Sequence, residues 1–178
     1  KNVAIGGYAL EVQNSDTDNL NVAVGWEAGQ NLTTGLQNTF VGGNAGDFLT
    51  TGSQNVFVGY KAGLGITGTK LTGSNNVAGG EQAGLLLQAA AHQNTLIGSR
   101  AGDAITTGDA NIIIGYNVAA ASATDSNQLN IGDWIKGVAG QITMPSQPAF
   151  LARPTSEQSN IAVGSWVTVV FGTQVFDQ

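Results

Sequence analysis

A short pattern, Asn-x-x-x-Gly-x-x-Ala-Gly or a close variant, occurs seven times in this chain at intervals of 17 to 21 residues. The asparagines that begin the repeats are Asn2, Asn21, Asn38, Asn55, Asn76, Asn94 and Asn111. The glycines four residues later are Gly6, Gly25, Gly42, Gly59, Gly80, Gly98 and Gly115. Such a short period is typical of proteins in which each repeat forms one coil and is buried against its neighbours. We therefore predict an all-β fold, a repetitive β-solenoid or β-roll of about seven or eight short coils over residues 1–133.

The recurring asparagines and glycines predict corners between extended segments. Glycine permits a positive φ and a close approach of two backbones, so the glycine after each strand marks a turn. Asparagine side chains bond nearby backbone at turns, and equivalent asparagines of successive coils can form a ladder. We interpret both columns as structural, because a phosphate-binding loop needs a glycine cluster with a lysine at the start of a helix.

The three residues after each asparagine have strand character, as in Thr39-Phe40-Val41 and Ile112-Ile113-Ile114. Successive residues of a strand point to opposite faces, yet both faces are apolar here. A strand that is apolar on both faces must be covered on both faces. One face can line the coil interior, and the other needs a partner, most simply a second copy of the chain. We expect the strands that contain Phe40, Phe57, Leu96 and Ile113 to lie near a threefold axis or at a seam between subunits.

The repeat pattern ends after Asn111, and the C-terminal part of the chain has a different character. Residues 134–144 are predicted to form a connector, and residues 145–178 the start of a C-terminal β domain. Short apolar stretches at Met144–Ala152 and Ser165–Phe171 predict two strands with a turn-bearing link between them. Two strands form a poor independent core, so this domain is expected to be completed by further chain or by neighbouring subunits.

Composition excludes several classes of function. The net charge is −6 with six Lys and Arg, so there is no basic stripe for nucleic acid. No apolar run approaches the length of a membrane-spanning helix, so no membrane insertion is expected. The chain has no cysteine, which removes disulfides and thiol chemistry. A surface rich in Asn, Gln, Ser and Thr with few charges is typical of a rigid extracellular protein.

Residues for catalysis, metal binding or cofactor binding are not clustered in the sequence. The single histidine, His92, has no neighbouring cysteine or serine motif and is interpreted as a solvated loop residue. The carboxylates are dispersed and lack the dense spacing of a Ca²⁺ loop. We therefore predict that the chain is not an enzyme and has no cofactor or metal site.

Aromatic residues directly follow the strand glycine in three repeats, at Trp26, Tyr60 and Tyr116. Stacked coils bring these positions onto one rib of the solenoid, where a ring face can stack on a sugar. The three residues are therefore candidate contacts for a glycan or another receptor. The alternative interpretation is that the rings pack over small residues of a neighbouring coil or subunit.

The run from Asn38 to Asn55 resembles repeats of bacteriophage tail-fibre and other viral fibre proteins. Asn2-Val3-Ala4-Ile5-Gly6 is similar to the head repeats of trimeric autotransporter adhesins. Gln147-Pro148-Ala149-Phe150, with Phe171 and Phe176-Asp177, resembles the start of a complement or tumour-necrosis-factor-type jelly-roll tip. These resemblances imply a parallel homotrimer and a virion location.

Three functions remain open at this point. The first is a structural tail fibre that acts with other virion or fibre proteins and attaches to a host cell-surface receptor. The second is a trimeric adhesin on the bacterial surface. The third, more remote, is an ice-binding solenoid that would use the threonine pairs Thr33-Thr34, Thr50-Thr51 and Thr106-Thr107, although the coils between Gly63 and His92 interrupt this array.

Overall fold

The computed structural model describes residues 1–14, 18–138, 140–143, 150–153 and 173–176. This part of the chain contains short β-strands and no helix. The strands are β1 (Val3–Ile5), β2 (Val22–Val24), β3 (Thr39–Val41), β4 (Val56–Val58), β5 (Val77–Gly79), β6 (Thr95–Ile97), β7 (Ile112–Ile114), β8 (Leu129–Ile131), β9 (Ile135–Val138), β10 (Gln141–Thr143), β11 (Phe150–Arg153) and β12 (Thr173–Phe176).

The first ten strands form one sheet in which their order in space follows their order in the chain. Strands β1 to β8 are parallel, and each residue pairs with its equivalent in the next repeat, as Phe40 does with Phe57. Backbone bonding between coils also continues outside the strands. The Thr33 N–H, for example, donates to the Thr50 carbonyl at 2.8 Å. The predicted β-solenoid is therefore confirmed.

The middle residue of each repeat strand fills the interior of its coil. Phe40 and Phe57 are fully buried, and their ring centroids lie 5.8 Å apart in adjacent coils. Ala-Gly pairs of the repeats provide the space for these rings, since a Cβ added to Gly46 would lie 2.6 Å from the Phe40 ring. Ala23 and Ala78 occupy the equivalent positions on either side of the two rings. Small residues thus lie on either side of the two large rings in the interior of the stack.

The strand face that carries Phe40, Phe57, Leu96 and Ile113 is the one that lines the coil interior, so the opposite face is left for a partner. All four side chains have no exposed surface within the single chain. The first and third residues of each strand face outward instead, because strand residues alternate between the two faces. In β4, for example, Val56 and Val58 are exposed while Phe57 is buried. The physical reason is that each coil is wide enough to enclose one large side chain per strand.

The glycine after each strand adopts the backbone conformation that the sequence predicts. Gly42 has φ +130°, and a Cβ at this position would lie 2.5 Å from the Gly59 carbonyl oxygen. The other six glycines of this column also have positive φ. Both a conformation that L-residues avoid and a close backbone approach therefore require glycine here. The second corner differs, because a Cβ on Gly52 would clash with the Gly73 carbonyl although no positive φ is involved.

The asparagine column forms a buried hydrogen-bonded ladder. The Oδ1 of Asn38 accepts from the backbone N–H of Asn55 at 2.9 Å and from its Nδ2 at 3.1 Å. The Nδ2 of Asn38 donates to the Gly52 carbonyl at 3.0 Å, across the same coil. Equivalent bonds recur at Asn21, Asn76, Asn94 and Asn111. The predicted ladder is confirmed, and each rung also ties the strand start to the second corner.

Polar residues close the C-terminal end of the ladder. Gln128 occupies the asparagine position of the eighth strand, and its backbone N–H donates to Asn111 Oδ1 at 2.9 Å. Its longer side chain bonds the Ser122 and Asp125 carbonyls at 2.8 and 2.7 Å. Within the same strand, Asn130 replaces the apolar interior residue and bonds the Ala119 carbonyl and Asp133. The repeat therefore ends in a polar cap, as solenoids require.

The segment after the last repeat extends the same sheet. Strand β9 pairs antiparallel with β8, and β10 pairs antiparallel with β9. Both strands lie in residues 134–144, the predicted connector, so this segment is more regular than expected. The division into rod, connector and C-terminal domain stays a prediction.

Residues 146–178 form a second compact unit. Within it, β11 and β12 are antiparallel, with Phe150 opposite Phe176. Strand β11 overlaps the first strand predicted in this region. The second predicted strand, Ser165–Phe171, and most of the residues that resemble a jelly-roll tip lie outside the described residues.

Candidate functional site

The outward side of the solenoid sheet is a continuous apolar surface. We call the first and third residues of strands β1–β8 the outer strip; they are Val, Ile, Leu and Thr, with one glycine, Gly79. Val58 is 42% exposed and Ile112 43%. Eight strands spaced by about 4.8 Å give the strip a length of roughly 34 Å. The outer strip contains no charged residue.

The outer strip continues beyond the repeats. Ile135 lies opposite Ile131 in the β8–β9 pair, and Ile142 lies opposite Gly137 in the β9–β10 pair. Residues directly opposite each other in an antiparallel pair share a face. Ile142 is 68% exposed. A continuous exposed apolar surface of this kind marks an interaction site.

The rib that carries Trp26, Tyr60 and Tyr116 is regular in the structure. The Asn44 N–H donates to the Trp26 carbonyl at 2.8 Å, and the Lys61 N–H to the Gly43 carbonyl at 2.9 Å. The same bond recurs from coil to coil, so the residues after the strand glycine stack in one column. From the first repeat to the seventh this column, which we call the rib, contains Gly7, Trp26, Gly43, Tyr60, Glu81, Ser99 and Tyr116.

Two rings of the rib pack against glycines of the preceding coil. A Cβ on Gly7 would lie 2.8 Å from the Trp26 ring, and a Cβ on Gly43 would lie 3.5 Å from the Tyr60 ring. Trp26 and Tyr60 are nevertheless 55% and 50% exposed. Packing over small residues therefore accounts for part of the burial of each ring, and about half of each residue stays exposed. Tyr116 is 81% exposed.

Sequence reasoning missed one aromatic neighbour of the rib. Tyr8 stands one position later than the rib column, and its ring meets Trp26 edge-to-face with centroids 5.0 Å apart. Polar groups lie in this second column as well. The Asn44 Nδ2 donates to Glu27 Oε2 at 2.6 Å, and the Lys61 ammonium lies 5.0 Å from the Tyr60 ring centroid.

His92 is part of the coil structure, and its interpretation as a solvated loop residue is wrong. Its Nδ1 accepts from the Ser74 N–H at 2.9 Å, and its own backbone N–H donates to Asp109 Oδ1 at 2.6 Å. Accepting at Nδ1 requires that this nitrogen carries no proton. Ser53, Ser74 and Asp109 hold equivalent positions in other coils, so His92 is one rung of a second polar column.

The threonine pairs also contribute to the ladder between coils. The hydroxyls of Thr33, Thr50 and Thr106 donate to carbonyls of the next coil at 3.0, 3.3 and 3.1 Å. Thr50 is 5% exposed. The first threonine of each pair is therefore engaged internally, which leaves one exposed hydroxyl column instead of two.

One carboxyl group of the solenoid is buried. Asp47 is 6% exposed and accepts from Asn31 Nδ2 at 2.9 Å. Burial raises the pKa of the Asp47 carboxyl, and the negative charge of Glu27 acts in the same direction. The hydrogen bonds from Asn31 and Asn44 oppose this shift. The Asp47 carboxyl is therefore held between two amide donors, Asn31 and Asn44, within reach of the Glu27 charge.

A cavity of about 360 Å³ lies on the inner side of β8 and β9, beside residues 119–121. Its polar groups bind one another, because Lys136 Nζ lies 2.9 Å from Asp133 Oδ1 and Asp133 also accepts from Asn130. Among the described residues, no group of three or more His, Asp or Glu side chains is placed to hold a metal ion. The same part of the chain contains no helix long and apolar enough to cross a membrane.

Comparison with protein-family models, with curated proteins and with solved structures gives no match to this chain.

Proposed function

We propose that this chain is a structural fibre component of a virion, a phage tail fibre that forms a parallel homotrimer and serves in attachment to a host cell. The observation that carries the proposal is the uncharged apolar outer strip, which extends over all eight parallel strands. A strip of this kind is suited to bury itself against copies of the same chain. The resemblance of the repeat to viral fibre repeats supplies the biological setting.

The outer strip fits a parallel arrangement of copies. Its side chains repeat at one strand spacing, so two strips that run in the same direction can interdigitate along their whole length. Around a threefold axis each strip contacts two others, and the assembly closes without an exposed apolar edge. The seam is then formed by residues such as Val41, Val58 and Ile97, and the phenylalanines of the coil interior take no part in it.

The oligomeric state of the purified chain tests the assembly. Light scattering coupled to size-exclusion chromatography is expected to give three times the 18.1 kDa of one chain. Val58→Asp places a charge in the strip and is expected to give monomers. Thr51→Asp, an exposed position on another side of the preceding coil, is the matched control and should leave the trimer intact. A monomer mass for the unchanged protein would contradict the proposal.

Attachment is tested with particles. Purified protein that includes the complete C-terminal domain is expected to compete with the parent particle for its host, and antibodies to the repeats should label the tail of the particle. Labelling of the bacterial cell surface instead would indicate the alternative, a trimeric surface adhesin, which would use the same seam.

A further inference from the structure

The rib combines exposed rings with a defined spacing. Trp26 and Tyr60 stand two coils apart with Gly43 between them, and each ring rests on a glycine below it. Two coil rises correspond to about 9.6 Å. Because the backbone bonds of the rib hold the coils in register, this separation is fixed by the fold and does not depend on the side-chain rotamers alone.

The exposed side of each ring is available for stacking. Each ring packs over a glycine of the preceding coil and keeps about half of its surface exposed. The Tyr8 ring also meets Trp26 edge-to-face, and the Lys61 ammonium lies over the Tyr60 ring, where it can donate to a sugar hydroxyl. Rings held in this way lose little conformational freedom when a ligand stacks on them. In the adjacent column Glu27 follows Trp26, and Asn44 lies in the coil between the two rings, where its amide donates to the Glu27 carboxylate at 2.6 Å. Both groups can also bond hydroxyls.

We propose that Trp26 and Tyr60 form a binding platform for an extended β-1,4-linked glycan, with Glu27 and Asn44 bonding its hydroxyls. In such a glycan the chain is a flat ribbon, and every second sugar presents the same face in the same direction. The two-coil spacing of the rings matches this alternation, so one ring stacks on each of two sugars that are separated by a third. Tyr116 stands three coils from Tyr60, an odd number, and is outside this register.

This inference names a ligand class for the attachment proposed above but does not depend on the trimer or on a virion. A monomeric chain that binds glycan would contradict the fibre proposal and leave this one standing. A trimer that binds no glycan would support the fibre proposal and contradict the glycan platform.

Calorimetry of the full chain with soluble oligosaccharides provides the test. Cellohexaose or chitohexaose is expected to bind, whereas the curved α-1,4-linked maltohexaose should bind at least about tenfold more weakly. Among β-1,4-linked probes, affinity should rise between the disaccharide and the tetrasaccharide, because three sugars are needed to reach both rings. Absence of binding by both β-linked hexasaccharides, or equal binding of maltohexaose, would overturn the proposal.

Variants of the rings assign the site. Trp26→Ala and Tyr60→Ala are each expected to weaken hexasaccharide binding about tenfold, the effect of losing one stacked ring. Tyr60→Phe keeps the ring and should retain binding. Tyr116→Ala is the matched control, an exposed rib aromatic outside the two-coil register. Unchanged affinity in both alanine variants, or equal loss in Tyr116→Ala, would show that the platform is elsewhere. Thermal melts establish that each variant is folded.

Discussion

A single asparagine in this protein performs several bonding tasks at once. Asn55 accepts two hydrogen bonds from Asn76 and donates to the Gly73 carbonyl, and it has no exposed surface. An apolar replacement would leave the Asn76 N–H and the Gly73 carbonyl buried without a partner. Buried polar groups without partners are costly, which explains why the repeat returns to asparagine at this position.

Asn55→Ala is therefore expected to destabilise the fold by about 3 kcal/mol or more, since at least two buried groups lose their partners. Urea denaturation followed by circular dichroism measures the change. Asn2→Ala is the matched control at the exposed first rung, where water can replace the lost bonds. Equal losses in the two variants would show that burial does not set the value of a rung.

The buried carboxyl of Asp47 predicts a dependence of stability on pH. Burial raises its pKa in the folded chain above the ordinary value of 3.8, so folding favours the protonated form. The stability that Asp47 contributes is present below the unfolded pKa and is lost as the pH rises through the folded pKa. Asp47→Asn keeps an acceptor for Asn31 and removes the charge.

Asp47→Asn is accordingly expected to melt at a higher temperature than the unchanged protein at pH 7, with the difference vanishing below about pH 4. Thermal melts across this range provide the measurement. Asp103→Asn is the matched control, because Asp103 occupies the same repeat position but pairs with Arg100 at 3.5 Å. A lower melting temperature for Asp47→Asn at pH 7 would contradict the assignment of the charge as unfavourable.

At the scale of one coil, the backbone structure could be predicted from the sequence. Which face of each strand lies inside the coil could not. The strands, the glycine corners and the asparagine ladder could be predicted because each rests on a local property of one residue type. The inward direction of Phe40 could not, because its neighbours Thr39 and Val41 are also suited to a buried strand. Which face lies inside depends on the width of the closed coil, and that is a property of the whole repeat.

In the candidate site, too, features set by repeat spacing could be predicted and contacts between different coils could not. Repeat spacing alone predicted that Trp26 and Tyr60 share a rib, since coils stack in register. The edge-to-face contact of Tyr8 with Trp26 was missed because Tyr8 stands one position off the repeat column. The role of His92 was missed because its partners, Ser74 and Asp109, belong to other coils and are 17 or 18 residues away in the chain.

Two consecutive glycines at the end of β5 provide a test of the corner. Gly80 has φ +130°, and its added Cβ would lie 2.5 Å from the Gly98 carbonyl carbon. Gly79 has neither constraint; its added Cβ would meet only the flexible end of Ile97, at 3.3 Å. Gly79→Ala is therefore expected to stabilise the protein by about 0.5–1 kcal/mol through the unfolded chain.

Gly80→Ala, in contrast, is expected to cost about 2 kcal/mol or more, because the substitution meets both an avoided backbone conformation and a clash with backbone. Denaturant titration of the two variants side by side gives the comparison. If both variants changed stability in the same direction and by the same amount, the corner would not need the conformational freedom of glycine.

At the scale of the whole molecule, the stack gains stability from neighbouring coils. Each coil shares its ladder, its interior and its backbone bonds with the coil before and the coil after it, so the loss of one rung weakens two interfaces. The polar cap at Gln128 and Asn130 ends this series on the C-terminal side. The apolar outer strip remains, and much of it is exposed in the described part of the repeats.

The chemistry of the outer strip determines how assembly should respond to salt. The strip has no charged side chain, so no ion pair in the seam is weakened by screening. Each chain has a net charge of −6, and bringing three together concentrates negative charge. Added salt screens this repulsion and strengthens apolar association.

We therefore expect the trimer to dissociate at a lower protein concentration in 0.5 M than in 0.05 M sodium chloride. Analytical ultracentrifugation across a dilution series measures this shift. Easier dissociation in high salt would indicate a seam held by charged groups, and the outer strip would then not be the assembly surface.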